Sequence, residues 1–231
     1  MKHTTVPGGR VLVVTDAGTM NAAARLAQLA AQAAACTDCR LCEERTRAVF
    51  ADGSPSADLM VIGEAPGRNE DLQGLPFVGR AGQLLNELLE HVGLRRQDIY
   101  IANVVKCRPP GNRDPRPDEI DACKHFLADQ IRIVDPKVVM TMGNFSSKLL
   151  LKTEIGITRL RGNVIPWWGR HVVPTFHPAA ALRNGPKMVD VMKSDFALAV
   201  ATINRSADPT GGSRPVIREE PEQLGLFGST R

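Results

Sequence analysis

The sequence predicts an α/β fold with a mostly parallel sheet, and three observations predict it. Short apolar runs alternate with segments of helical periodicity between residues 58 and 203, the pattern that builds strand–helix–strand units. The chain has 231 residues, of which 43% are apolar, enough for one domain-sized core with polar ends to spare. Three chemically marked segments, residues 63–67, Asn103 and His177, each fall where a strand should end. That is the edge at which open α/β sheets bind their ligands.

The elements follow in order. Residues 21–35 are rich in Ala, Leu and Gln and form a helix leading into a group of cysteines. Residues 58–63, Asp-Leu-Met-Val-Ile-Gly, form a buried strand, and Glu64-Ala65-Pro66-Gly67 must turn. Leu84, Leu85, Leu88, Leu89 and Val92 recur at helical spacing, so residues 81–92 form an amphipathic helix stopped at Gly93. Residues 99–105 are a second strand, followed by a loop rich in proline and arginine over 108–117. The helix over 118–133 opens on acidic residues, as the helix dipole favours. Residues 137–142 form a third strand and 145–151 a short helix. Residues 171–175 form a fourth strand running into His177-Pro178, and 188–203 a last helix.

Residues 1–19 read as a loose extension, 20–204 as the domain, and 205–231 as a polar tail. No run of eighteen apolar residues occurs, and the apolar stretch 11–15 is too short for a signal core. The expectation is a cytoplasmic, nucleoid-associated monomer with no membrane partner. A net charge of +4 permits contact with nucleic acid without arguing for it.

The cysteines say more. Cys36, Cys39 and Cys42 lie in one run, with Cys107 and Cys123 far downstream. In a reducing compartment such a set binds metal more often than it forms disulfides. Four thiolates suit tetrahedral zinc or a cubane iron–sulfur cluster, and spacing alone does not separate the two.

Five segments together carry a resemblance. They are Cys36-Thr-Asp-Cys39-Arg-Leu41 with Arg45-Thr46, Gly63-Glu64-Ala65-Pro66-Gly67 with Glu70-Asp71, Leu75-Pro76-Phe77-Val78-Gly79-Arg80-Ala81-Gly82, Asn103-Val-Val-Lys106-Cys107-Arg108-Pro109-Pro110, and His177-Pro178-Ala179-Ala180-Ala181-Leu182-Arg183. In this order and spacing, from Cys36 to about Ala201, the chain resembles the family 4 (iron–sulfur) uracil-DNA glycosylases.

The resemblance implies a three-layer α/β/α domain around a four-stranded parallel sheet. It also implies a [4Fe–4S] cluster held by Cys36, Cys39, Cys107 and Cys123, with Cys42 left as an extra thiol. The activity implied is excision of uracil from DNA, the base being flipped into a pocket. There Gly63, Glu64, Ala65, Glu70, Phe77, Asn103 and His177 would bind it. Phe77 would be the platform, Asn103 would pair with the base edge, and His177 would donate to uracil O2.

Ala65 stands where the best-known relatives carry an aspartate that positions water, which leaves Glu64 as the preferred carboxylate for that task. Gly67 replaces a tyrosine that guards uracil C5, and Glu70 would sit near C5 instead. The loop 179–183 would enter the minor groove, with Leu182 as wedge, Ala181 as the rival wedge position, and Arg183 beside it. Lys106, Arg108, Arg113 and Arg116 are further candidates for phosphate contact.

In the tail, Gln223, Leu224, Leu226 and Phe227 resemble the peptide by which bacterial repair proteins dock on the sliding clamp. A tether of this kind raises local concentration on DNA. Two other readings compete with turnover. One is the relative that becomes covalently attached to the abasic sugar, which is associated with a basic, histidine-containing insertion that residues 111–117 lack. The other is a non-enzymatic, metal-bearing DNA-binding replication accessory protein, which leaves the match of Glu64, Phe77, Asn103 and His177 to a pocket unexplained.

Overall fold

A computed structural model of the chain describes residues 21–206. Its strands are β1 (Asp52–Gly53), β2 (Leu59–Gly63), β3 (Tyr100–Asn103), β4 (Val138–Met142), β5 (Ile165–Trp167) and β6 (Arg170–Thr175), in the spatial order β1-β3-β2-β4-β6-β5. The four central strands are parallel, and β1 and β5 flank them antiparallel. The expected four-stranded parallel sheet is therefore present, widened at each edge by a strand too short to leave a periodic signal. Pro166 in β5 fits an edge position, where a missing N–H costs no ladder bond.

Every residue of β2, β3 and β4 is buried, as strands covered on both faces should be. Alternate side chains feed two cores. Met60, Ile62, Ala102 and Val139 pack with Leu26 of α1 (Ala22–Ala35), Phe126 and Leu127 of α5 (Pro117–Val134) and Leu150 of α6 (Asn144–Leu151). Leu59, Val61, Ile101 and Met140 pack on the other face. Their partners are Leu85 and Leu88 of α4 (Arg80–His91), Ala181 of α8 (Pro178–Asn184) and Phe196 of α9 (Pro186–Ser206). This is the three-layer arrangement.

Three shorter helices, α2 (Leu41–Glu44), α3 (Arg68–Gln73) and α7 (Ile157–Leu160), carry connections. Helix α1 begins where Asn21 Oδ1 accepts from Ala24 N–H at 2.9 Å, and α5 begins at Pro117 with Glu119 reaching back to Arg116 N–H at 2.8 Å. Asparagine caps and a proline at the first helical position are both favoured starts.

One expectation changes here: residues 179–183 are not a loop but most of α8. The extension over residues 1–19 and the tail with its clamp-like peptide lie outside the described residues.

The parallel pairing sets the site. Gly63 at the end of β2 lies directly beside Asn103 at the end of β3, and β6 ends two residues before His177.

Candidate active site

A cleft of about 1190 Å³ lies over the carboxyl ends of the central strands, and Glu64, Phe77, Asn103 and His177 all line it. A side-chain carbon on Gly63 would stand 2.3 Å from Asn103 Oδ1 and 2.8 Å from the Phe77 ring. Only glycine there lets the amide and the ring close on the same spot.

The Phe77 backbone sits at φ +51°, a left-handed conformation uncommon for a bulky residue and often found where function demands it. Two groups hold it there. Glu70 Oε1 accepts from the N–H groups of Val78 and Gly79 at 2.9 and 3.0 Å. Arg96 donates to the carbonyls of Phe77, at 3.0 Å, and Pro76, and its Nε is tied to Asp52 at 2.5 Å. Glu70 is thus first of all a brace for the platform loop. Its second oxygen fills the space beside Gly67, 2.7 Å from where a side-chain carbon would be. The Phe77 and His177 rings stack with centroids 5.8 Å apart and planes inclined by 27°.

Asn103 is 2% exposed. Among the described residues no protein group hydrogen-bonds its side-chain amide, although it faces the cleft. His177 Nδ1 accepts from Ala179 N–H at 3.1 Å, which leaves the proton of the neutral ring on Nε2. Burial, helped by the positive charge of Arg183 and opposed by Glu70, pulls the imidazole pKa down to about 4. The ring is therefore neutral near pH 7 and offers an Nε2–H donor. Gly143, at φ +94°, makes room for it, since a side chain there would meet His177 Cβ at 3.0 Å.

Glu64 is pushed up to about 7, first by burial and then by the charge and hydrogen bond of Asp114. Asp114 went unmarked in the sequence because it lies within a segment dominated by proline and arginine. The structure folds that segment over the cleft mouth by clamping Arg113 on the buried Glu119 carboxylate at 2.8 and 2.6 Å.

Three sequence expectations are corrected. Arg113 is committed to Glu119 and is not free for phosphate. Ala181 is fully buried in the core under α8 and cannot be a wedge, whereas Leu182, 39% exposed, can. Lys106 is 1% exposed and cannot reach DNA. Arg108, Arg116 and Arg183 remain accessible, Arg108 with its Nε on Asn112 at 2.6 Å.

On the far side of β3, all five cysteines line a second, small cavity with Arg45, Lys106 and Phe126. Cys36 caps the end of α1 and Cys123 lies within α5. Arg45 Nη1 donates to Cys107 Sγ at 3.1 Å, and Lys106 N–H to Cys123 Sγ at 3.2 Å. Among the described residues no three Cys, His, Asp or Glu side chains converge closely enough to hold a single ion. Thiolates in such a set suit tetrahedral zinc or a cubane iron–sulfur cluster. Burial, with Cys107 and Cys39 adding to it, pushes the Cys123 thiol up to about 11 against the opposing effect of Lys106, so bound metal is what would hold it as a thiolate at neutral pH. The donor set and its N–H···S contacts fit an iron–sulfur cluster.

The chain is similar to known proteins of one superfamily. The model of the uracil DNA glycosylase superfamily matches residues 50–200. A type-4 uracil-DNA glycosylase of Thermotoga maritima is 49% identical over 64% of this chain and 79% of its own length. Type-4 uracil-DNA glycosylases of Sulfurisphaera tokodaii and Saccharolobus solfataricus are 46% and 45% identical over 70% of this chain, and over 77% and 78% of theirs.

Proposed function

This chain belongs to the type-4 uracil-DNA glycosylases, and on that premise we propose how its residues divide the work. It is a DNA-repair enzyme that hydrolyses the N-glycosidic bond of uracil in DNA. The observation that carries the residue assignments is Asn103, a buried amide without a protein partner, faced by Phe77 and His177 in one cleft. With a base filling the cleft, a polar group left unpaired there costs about 1–3 kcal/mol, and the uracil edge satisfies it. Uracil offers an N3–H donor and an O4 acceptor, which match the amide's oxygen and NH₂. Cytosine presents the reverse pattern and is refused.

The base is flipped onto Phe77, and exposed Leu182 fills the gap it leaves in the stack. As the C1′–N1 bond breaks, its electron pair leaves with the base, and positive charge develops on the sugar. His177 Nε2–H donates to O2 as that oxygen gains charge, a contribution realised mainly in the transition state. Ionised Glu64 faces the sugar cation and orients the water that adds at C1′. Glu70, beside Gly67, closes the C5 side of the pocket against the methyl group of thymine. Arg108, Arg116 and Arg183 bind flanking phosphates.

Cys36, Cys39, Cys107 and Cys123 would hold a [4Fe–4S] cluster, with Cys42 as the extra thiol. Uracil excision is a hydrolysis with no net oxidation or reduction, so the group serves as a clasp joining α1, the end of β3 and α5. The clamp-docking role of Gln223, Leu224, Leu226 and Phe227 rests on sequence. Deleting residues 222–231 should abolish binding to the sliding clamp while excision from naked oligonucleotides persists.

The reading is tested by incubating the purified full chain with a uracil-containing oligonucleotide, followed by alkali. Strand cleavage only at uracil, no denaturation-resistant adduct, and about four irons per chain with absorbance near 400 nm are expected. Colourless, inactive protein would overturn it.

The Glu64–Asp114 pair gives a pH signature. A carboxyl whose folded pKa is raised stabilises the fold below its unfolded value of about 4.3, and that contribution is lost as pH rises through about 7. Activity runs the opposite way, because the ionised form does the work. Single-turnover rates should rise with an apparent pKa near 7. In Asp114→Asn, which removes the neighbouring charge, that acid limb should move to lower pH. An unmoved limb would show that Asp114 does not govern Glu64.

A further inference from the structure

Lys106 is among the largest fully buried side chains of the described residues, and the excision reaction makes no use of it. Its ammonium donates to the carbonyl of Asn103 at 2.7 Å and to Gln130 Oε1 at 2.6 Å, and it lies over the Phe50 ring at 5.9 Å. Gln130 is itself fixed, donating to the Phe50 carbonyl at 3.0 Å and the Tyr100 hydroxyl at 3.2 Å. None of these partners carries a full negative charge, and no carboxylate pairs with Lys106 among the described residues. A charged ammonium in a protein core needs an anion or it becomes a liability.

The anions on offer are the cysteines. Lys106 lines the thiol cavity, and its main-chain N–H donates to Cys123 Sγ at 3.2 Å. A four-thiolate iron–sulfur cluster is net anionic. On its other side the same residue reaches back three positions to the last carbonyl of β3, on the residue whose amide faces the uracil cleft. We propose that Lys106 is a positioning residue coupling the two cavities: cluster charge holds the ammonium in the core, and the ammonium holds the end of β3 so that the Asn103 amide stays in register with the base.

The inference rests on Asn103 reading the uracil edge, and it gives the clasp a second consequence. The cluster would secure base recognition as well as join the helices. A shift of about 1 Å at a group that positions substrate can cost about 100-fold in rate. Outer partners of ligand sites are typically worth 10–100-fold.

The test uses the full-length, iron-loaded protein and Lys106→Met, which keeps most of the side chain's length and removes its charge. Helix content and melting confirm the fold, and iron content and absorbance near 400 nm report the cluster. Inhibition by free uracil reports the pocket, and kcat and KM are read on a uracil oligonucleotide. The expected result is a folded protein that binds iron but yields it to a chelator at least tenfold faster. Its kcat should fall 10–100-fold, inhibition by uracil should weaken by a similar factor, and KM for DNA should hold within about threefold. Undiminished uracil inhibition in folded Lys106→Met overturns the inference, whether or not kcat changes.

If Lys106→Met does not fold, Gln130→Leu removes one of the ammonium's two acceptors without touching thiols or cleft. Uracil inhibition weakened at least threefold supports the coupling, and unchanged inhibition overturns it. Asn103→Ala is run alongside. Normal excision by that variant would defeat the base-reading assignment itself, whereas its loss beside a normal Lys106→Met defeats only the coupling.

Discussion

Replacing His177 with asparagine should lower kcat by about two to three orders of magnitude while the protein keeps its fold, its iron and its affinity for DNA. The choice of asparagine follows from the two jobs the ring performs. Its Nδ1 accepts from Ala179 N–H at the start of α8, and asparagine is among the best residues at such a cap. Alanine would lose the cap as well, at about 1 kcal/mol, and confound the result. What asparagine cannot reproduce is the Nε2–H donor, placed deeper in the cleft by the length of the ring. Removing one preorganised donor to a developing oxyanion typically costs about 10²–10³ in kcat. Because burial holds the imidazole pKa near 4, the wild-type donor stays neutral through the physiological range. The acid limb of the rate profile should therefore follow Glu64 and not His177. Single-turnover excision across pH 5–8 checks both points. A rate within tenfold of wild type in His177→Asn would remove the histidine from the transition state.

The sequence made the central strands and the meeting of Asn103 and His177 legible for a physical reason. Asn103 and His177 lie at or just beyond strands' carboxyl ends, which a parallel sheet places together whatever the details of packing, whereas Phe77, between α3 and α4, was legible only through the family resemblance. Groups whose role depends on side-chain direction were not legible. Lys106 sits in an arginine-rich segment and reads as a surface cation, but three residues beyond the end of β3 its chain turns inward to the Asn103 carbonyl. Ala181 and Leu182 are neighbours, and only the phase of α8 decides that the first enters the core and the second faces solvent.

Arg96 and Asp114 left no signal either. Arg96 holds the Phe77 loop from a 3₁₀ turn with no apolar pattern, and Asp114 meets Glu64 across 50 residues of sequence through a loop fixed by the Arg113–Glu119 pair. The edge strands β1 and β5, two and three residues long, are shorter than any window in which alternation can be recognised.

Asn103→Ala should cost still more than His177→Asn, about three orders of magnitude in kcat/KM, and should abolish inhibition by free uracil. In the wild-type site the amide has no protein partner to fall back on, so the base loses both edge hydrogen bonds at once. A site built to hydrogen-bond its substrate discriminates by about 10⁴–10⁵ when the pairing fails, because the desolvated groups stay unpaired. Alanine removes the protein's half of the pairing, which leaves uracil's N3–H and O4 buried without partners. A thousandfold loss corresponds to about 4 kcal/mol, in the range expected for two such groups. The loss should appear with duplex and single-stranded substrates alike, since it arises after the base has left the stack. Measuring kcat/KM for both substrates, together with the inhibition constant for uracil, separates this from impaired flipping. Impaired flipping would spare single strands and leave uracil inhibition intact. If uracil still inhibits Asn103→Ala as it inhibits the wild type, the base edge is read by another group and the floor formed by Gly63, Phe77 and Asn103 serves only to pack the end of the sheet.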